Sequence, residues 1–130
     1  MPTTTAQIVI SSTDLLSAAL TVNNTRTLKQ SDGTDVDEST GLAATKNGGT
    51  SIYTLYLASA YGNNGAAKVY IKNNDTTFAN FVTITIGSQT LGRLYGGDWA
   101  LIPWDATNDF KATNNNSGTT IEHMLLHEGA

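Results

Sequence analysis

Apolar and polar residues alternate with a period of two along most of the chain, which is the pattern of half-buried β-strands. The clearest alternation sets Val82, Ile84 and Ile86 against threonines in FVTITIG. Further strands are predicted in AQIVIS, ALTVNNTRTLKQ, GLAATK, KVYIKN, DFKATN and TTIEHMLLHE. Turn-forming residues separate these segments at roughly 10-residue intervals, and no helix of ordinary length is visible. We therefore predict an all-β fold, a β-sandwich or jelly-roll-like arrangement of about nine short antiparallel strands.

Two segments carry more specific predictions. TSIYTLYLASAYG has apolar residues on both faces, which indicates a long central strand. The NGG sequence at Asn47–Gly49 just before it predicts a hairpin turn, because Asn and Gly tolerate the positive φ of a type I′ turn. A further turn is predicted in NNGAA, which follows the long strand.

The stretch LYGGDWALIPWD concentrates both tryptophans, a Gly-Gly pair and one of the two prolines. Gly96 and Gly97 are predicted to close a hairpin between LGRLY and WALI, since glycine accepts a left-handed backbone. Pro103 is expected to end the second strand, because proline cannot donate to the ladder. We interpret the whole stretch as a corner of the sandwich.

Trp99 and Trp104 lie five positions apart, so in one strand they point to opposite sides. In the structural interpretation, which we favour for Trp99, one ring fills the core and the other covers the end of the sandwich. In the functional interpretation, one ring binds a sugar or a protein partner. Both interpretations stay open for Trp104, which with Tyr61 and Tyr95 could line a glycan-binding face.

Composition narrows the function classes. The chain has 130 residues, only 14% of them charged, and a formal net charge of −4. Its basic residues are scattered and form no phosphate-binding stripe, so we expect no nucleic-acid partner. The absence of cysteine excludes disulfides and thiolate chemistry. No apolar run approaches the length of a membrane span, and MPTTTAQIVI lacks the features of a signal peptide.

Residues that could carry chemistry are few. His123 and His127 share a face of the last predicted strand but would lie about 13 Å apart, too far for one metal ion. We expect both on the solvent side, near an edge strand or a subunit contact. One loop clusters four carboxylates without the spacing of an EF-hand, and we interpret it as a solvated loop: Asp32, Asp35, Asp37 and Glu38. There is no G-x-S-x-G elbow, so we predict no enzyme, no catalytic residue, no cofactor and no metal.

The second half of the chain resembles a group of small virion proteins of tailed phages, best represented among phages of cyanobacteria and other aquatic bacteria. The resemblance covers Lys68–Leu126 and lies in the YIKN strand, the VTI strand, GDWALIPW and the terminal IEHMLL strand. It implies a structural component of the particle, made in the host cytoplasm and carried on the virion exterior. It transfers no active-site residue.

Within that resemblance, a capsid decoration or cement protein is our first expectation, acting as a homotrimer that binds the major capsid protein or other virion proteins. A tail, neck or baseplate component is the first alternative, and a carbohydrate-binding β-sandwich module is the second. We expect residues 1–7 to form an extended arm and residues 8–130 one β-sandwich domain. The candidate partner contacts are Pro2, Thr3, Thr4, Thr5, Gln7, Gly96, Gly97, Trp99 and Trp104.

Overall fold

The computed structural model describes residues 3–61 and 66–129, and in these ranges it confirms the predicted all-β fold. Ten strands are joined by turns and one four-residue helix, α1 (Ala58–Tyr61). The strands are β1 (Thr5–Ser12), β2 (Leu20–Thr27), β3 (Ala43–Lys46), β4 (Tyr53–Tyr56), β5 (Ala67–Asn73), β6 (Val82–Ile86), β7 (Gln89–Leu94), β8 (Trp99–Trp104), β9 (Phe110–Asn114) and β10 (Thr120–His127). Within the described ranges, no helix has the length and apolar character needed to cross a membrane.

The strands form three antiparallel sheets. Two of them have four strands, in the orders β3-β10-β5-β8 and β4-β9-β6-β7, and the third is the hairpin β1-β2. The pairings are nested: β6 pairs with β7, β5 with β8, β4 with β9 and β3 with β10. The second half of the chain therefore runs back along the first, strand by strand.

The two four-stranded sheets enclose one apolar core, as in a β-sandwich. Alternation along each strand places every second side chain inside, so Val69 and Ile71 of β5 meet Val82 and Ile84 of β6 in the same cluster. The core is completed by fully buried Phe110, whose ring lies edge-on to its aromatic neighbours. The threonines of FVTITIG face outward, as the alternation predicts.

A second, smaller apolar cluster lies outside the sandwich. It consists of Leu28, Val36 and Leu126, with Ala6 and Met124 packed against it. Ala6 belongs to β1 and Leu126 to the opposite, outer side of β10, so this cluster joins the β1-β2 hairpin to the outer face of the β3-β10-β5-β8 sheet.

Two predicted features of the first half are wrong. The NGG segment does not close a hairpin, since β3 and β4 on either side of it belong to different four-stranded sheets. The predicted long central strand is instead β4, a four-residue edge strand with a register irregularity, followed by α1. The side chain of Asp109 accepts a hydrogen bond of 2.8 Å from the backbone N–H of Ala58 and so begins this helix. The turn predicted in NNGAA falls largely on residues 63–65, outside the described residues.

Candidate interaction surface

The stretch LYGGDWALIPWD connects the two four-stranded sheets. β7 before it and β8 after it lie in different sheets, so the predicted hairpin at Gly96 and Gly97 is wrong, while the interpretation of the stretch as a corner of the sandwich is confirmed. Pro103 does not end the strand, because β8 continues to Trp104. The proline is tolerated because β8 is an edge strand.

Close backbone packing explains the two glycines. A Cβ added at Gly96 would lie 2.3 Å from the carbonyl oxygen of Thr77, and the N–H of Gly96 donates to the carbonyl of Phe78 at 3.1 Å. Gly97 has a φ of 93°, a conformation that favours glycine, and its N–H donates to the carbonyl of Asn73 at 2.9 Å. Gly96 therefore holds the chain against the loop that joins β5 to β6, and Gly97 holds it against the last residue of β5.

Trp104 is the core residue of the pair. Its side chain is 3% exposed and packs against the rings of Tyr56, Tyr61 and Phe110. The indole N–H donates to the backbone carbonyl of Asn108 at 2.9 Å, so its polar atom has a partner inside the fold. This burial excludes Trp104 as a surface stacking platform.

Trp99 lies on the opposite face, as the five-residue separation predicts, and 52% of it is exposed. Of the two positions in the structural interpretation, the core position therefore belongs to Trp104, for which both interpretations were open, and Trp99 lies outside the core. Leu101, two residues further along β8, shares the outer face and is also exposed. Trp99 and Leu101 thus give the edge of the sheet an apolar outer surface.

A groove runs between this surface and the β1-β2 hairpin. It consists of two cavities of about 560 and 390 Å³ that share the residues Ala6, Gln7, Leu28, Trp99 and Leu101. We call it the β1–β8 groove. Its other lining residues are Thr4, Thr5, Ile8, Val9, Ile10, Asn24, Arg26, Lys68, Tyr70, Lys72, Ala100, Met124 and Leu126.

The groove brings together four of the predicted contact residues: Thr4, Thr5, Gln7 and Trp99. Thr5 and Gln7, predicted in an extended arm, are paired with β2 as part of β1. The exposed Thr3 does not line the groove, Pro2 lies outside the described residues, and the remaining three predicted residues lie in the sheet-to-sheet corner or in the core.

The apolar wall from β1 was missed in the sequence. Ile8, Val9 and Ile10 are all exposed, although AQIVIS has the composition of an ordinary buried strand. The available signal is the polarity of the partner strand, because Ile8 and Val9 lie opposite Asn24 and Asn23. A strand that is apolar on both faces but pairs with a polar strand cannot form a hydrophobic core with that partner. Its apolar side chains therefore remain at the surface.

The two histidines differ from the solvent-facing positions predicted for them. His123 lies on the inner side of β10, a central strand, and is buried; its Nδ1 atom lies 2.7 Å from the hydroxyl of Tyr56 and its Nε2 atom 2.8 Å from the hydroxyl of Thr45. Burial lowers the pKa of the His123 imidazole below its usual value. His127 is half-buried, with its ring beside that of Tyr61.

The acidic loop uses its carboxylates separately. Asp32 accepts hydrogen bonds from the hydroxyl and the N–H of Thr34, which lower the pKa of this carboxyl. Asp35 forms an ion pair with Lys29, and Asp37 accepts a hydrogen bond from Gln30. Across residues 3–61 and 66–129, no three acidic or histidine side chains come together as a metal site.

The predicted glycan-binding line of aromatic rings does not form. Trp104 and Tyr61 are in contact but inclined by 60°, and Tyr95 instead stacks on Phe78, with ring centroids 5.0 Å apart and planes inclined by 12°. Phe78 is strongly exposed, so the stack presents one free ring face. Arg93 covers the neighbouring ring of Phe81.

No protein-family model, no curated protein and no solved structure matches the chain.

Proposed function

We propose that the chain is a non-enzymatic structural protein of a tailed-phage virion that decorates the assembled head from outside, as a homotrimer bound to the major capsid protein. The proposal starts from the resemblance over Lys68–Leu126 and draws support from the β1-β2 hairpin, which exposes the apolar residues of β1. A protein that binds the assembled shell but not its free subunits stabilises the shell by mass action.

The strand order also favours this class of protein. Eight strands in nested antiparallel pairs, divided between two sheets, support a jelly-roll assignment for β3 to β10. Jelly rolls are common in viral capsid proteins, and they also occur in lectin domains. The topology is therefore compatible with the first proposal and with the carbohydrate alternative. The exposed residues at the surface distinguish the two.

The observation that carries the proposal is the exposed apolar surface of the hairpin. A two-stranded hairpin is at best marginally stable by itself, and this one carries Ile8, Val9 and Ile10 in an exposed strand. Leu15 and Leu16, in the loop at its tip, are more exposed still. Several exposed apolar residues grouped on one hairpin are typical of an interaction site.

A tail, neck or baseplate position remains the first alternative, because the same hairpin would serve any of these assemblies. The number of copies per particle separates the positions, since a head carries many more copies of a decoration protein than a tail end does.

The carbohydrate alternative rests on one specific observation, the exposed face of Phe78 stacked on Tyr95. A sugar could stack on that face. The Phe78→Ala variant would abolish retention on a glycan column if this alternative holds, and would leave binding to phage heads unchanged if the first proposal holds.

The direct test compares hairpin variants on phage heads that lack this protein. We expect the double variant Ile8→Asn, Ile10→Asn to bind heads at least about tenfold more weakly, because several apolar contacts are lost from one surface. The matched control is Leu91→Asn, an exposed apolar residue on β7 of the other sheet. Unchanged occupancy by the double variant, at an unchanged midpoint of urea unfolding, would contradict the role of the hairpin.

A further inference from the structure

We propose that the β1–β8 groove binds an extended peptide segment of alternating apolar residues flanked by carboxylates, which adds as a strand to the free edge of β8. The inference deepens the proposed function and rests on it for the biological source of the segment, a virion protein. The chemistry of the segment follows from the groove itself.

The free edge of β8 is identified by its hydrogen-bond register. Asn73 of β5 exchanges backbone hydrogen bonds with the chain entering β8: its N–H donates to Asp98 at 2.9 Å and its carbonyl accepts from Gly97 at 2.9 Å. Alternation then directs the backbone of Ile71 towards Ala100, its partner in β8. The backbone N–H and C=O groups of Trp99 and Leu101 consequently point away from β5, towards the open side of the sheet.

Pro103 follows the same alternation. It pairs with Lys68 in register, at a position where the β8 backbone points outward. Its missing N–H therefore costs no bond to β5, and an added strand would bond to Trp99 and Leu101 and stop at the proline. The proline thus limits the length of the edge that a partner can use.

β8 is the best edge for strand addition in the two four-stranded sheets. β3 and β4 have only four residues each, and the pairing of β4 is irregular. The pairing of β7 shifts register beside Gly92, and such irregularities protect edges from further pairing. β8 pairs with β5 over six residues in unbroken register.

The opposite wall of the groove is also a free edge. The N–H of Leu28 donates to the carbonyl of Thr4 at 2.8 Å, which directs the backbones of Thr4, Ala6 and Ile8 towards β2. The backbones of Gln7 and Val9 therefore point away from the hairpin. An extended segment in the groove would lie beside backbone groups on both sides, with its apolar side chains near Ile8, Ile10, Trp99 and Leu101.

The charge of the groove favours an acidic peptide as its occupant. The groove is lined by three basic residues, Arg26, Lys68 and Lys72, and by no aspartate or glutamate, although the chain has a net charge of −4. Glu128 pairs with Lys68 at 2.7 Å, but Arg26 and Lys72 form no ion pair within the described residues. Glu122, opposite Lys72 in register, instead accepts a hydrogen bond from Tyr70. Carboxylates at the ends of the segment would complement these cations.

A second copy of the chain is a poorer occupant. A groove-to-groove contact between two copies would bring the basic residues of both copies into one interface, and like charges across an interface oppose association. The positive charge of the groove therefore favours a different chain with an acidic, apolar segment.

The test uses three fluorescein-labelled peptides of about eight residues. The first alternates valine and threonine between pairs of glutamates, the second has lysines in place of the glutamates, and the third repeats the first with alternate backbone nitrogens methylated. Fluorescence anisotropy with the full chain gives each dissociation constant, and amide NMR shifts locate the binding. We expect the first peptide to bind and to shift the amides of Trp99 and Leu101, and each of the other two to bind at least about tenfold more weakly.

Variants of the chain supply the matched controls. Trp99→Ala and Lys72→Glu should each weaken binding of the first peptide about tenfold, through lost apolar contact and through charge reversal. Lys111→Glu, an equal charge reversal on β9 of the other sheet, should leave binding unchanged. The amide spectrum of each variant reports whether the fold is intact.

Three results would overturn the inference: no binding of the first peptide at about 1 mM, equal binding of all three peptides, or a stable dimer that Trp99→Glu dissociates. The last result would assign the groove to a second copy. If the first peptide binds as expected but virions contain no copies of the chain, the proposed function fails and the peptide chemistry stands. If virions contain many copies and no peptide binds, the inference alone fails.

Discussion

Trp99 and Trp104 stand at the two ends of β8 and on opposite faces of its sheet, one half-exposed beside the groove and the other sealed in the core. One edge strand thus supplies an anchor of the sandwich and part of its candidate interaction surface. Their different surroundings make them a matched pair for separating stability from binding.

We expect Trp104→Ala to lower the free energy of unfolding by about 4 kcal/mol, because it opens a large cavity among aromatic rings and removes the partner of the Asn108 carbonyl. Trp99→Ala should cost about 1 kcal/mol or less, since its ring is half in solvent. Urea unfolding followed by circular dichroism measures both. Equal costs for the two variants would contradict the assignment of core and surface roles.

Gly96→Ala should be among the most damaging single substitutions of the corner. The added Cβ would meet the carbonyl oxygens of Thr77 and Asp75, which are backbone atoms and move only with their loop. We expect a loss of about 3 kcal/mol in the free energy of unfolding. Gly48→Ala is the control, because a Cβ there meets nothing within 4 Å, and it should change stability by less than about 1 kcal/mol.

Asn73 should contribute more to stability than its neighbour Asn74. The amide of Asn73 is fully buried and donates to the carbonyls of Asn80 and Leu94 at 2.8 and 2.9 Å, while its side-chain oxygen accepts from the N–H of Asp75 at 2.9 Å. Asn73→Ala should cost about 3 kcal/mol, since it leaves buried backbone groups unsatisfied. Asn74→Ala, at an exposed position, should cost less than about 1 kcal/mol, and a reversed order in thermal or urea unfolding would refute this ranking.

Stability should fall with acid partly through His123. Because burial lowers the pKa of His123 in the folded state, the unfolded chain binds a proton more readily. The contribution of the neutral imidazole is therefore complete above its ordinary pKa of 6.5 and is lost as the pH falls towards the folded-state pKa. The comparison is made with His123→Gln, which removes the titrating group and leaves all other ionisable groups in place.

The difference in unfolding free energy between the two proteins should be constant from about pH 8 to pH 7 and should then shift in favour of the glutamine variant down to about pH 5. Urea titrations at each pH give this difference directly. A difference that does not change with pH would show that His123 titrates alike in the folded and unfolded states.

The sequence predicted the fold class because the alternation is local and strong. In FVTITIG and KVYIKN the valines and isoleucines recur at every second position, and the structure buries these side chains wholly or in part. The errors arose where a turn signal had to be converted into topology. Gly-Gly at Gly96 and NGG at Asn47–Gly49 were both expected to join neighbouring strands, and both connect different sheets. A turn sequence encodes a change of chain direction. Which strand the next segment pairs with depends on how its apolar side chains pack in the core.

The candidate surface was predicted only in part for a similar reason. Tryptophan occurs both in protein cores and at protein surfaces, so residue type alone does not assign Trp99 or Trp104 to either. Their positions depend on which face of β8 meets the other sheet. Likewise, Ile8 and Ile10 look like core residues until their polar partner strand is known. The groove joins residues of β1 (Thr5–Ser12) to residues of β8 (Trp99–Trp104), which lie far apart along the chain, and no local pattern records their proximity.

The most direct test of the proposed function is the number of copies of this chain per virion in a tailed phage that carries its gene, determined by quantitative mass spectrometry against the major capsid protein. Head decoration predicts several hundred copies, near parity with the shell subunit or a simple fraction of it. A few copies to a few dozen would contradict decoration and assign the chain to the neck, baseplate or fibre. The near absence of the chain from virions would contradict the virion proposal itself.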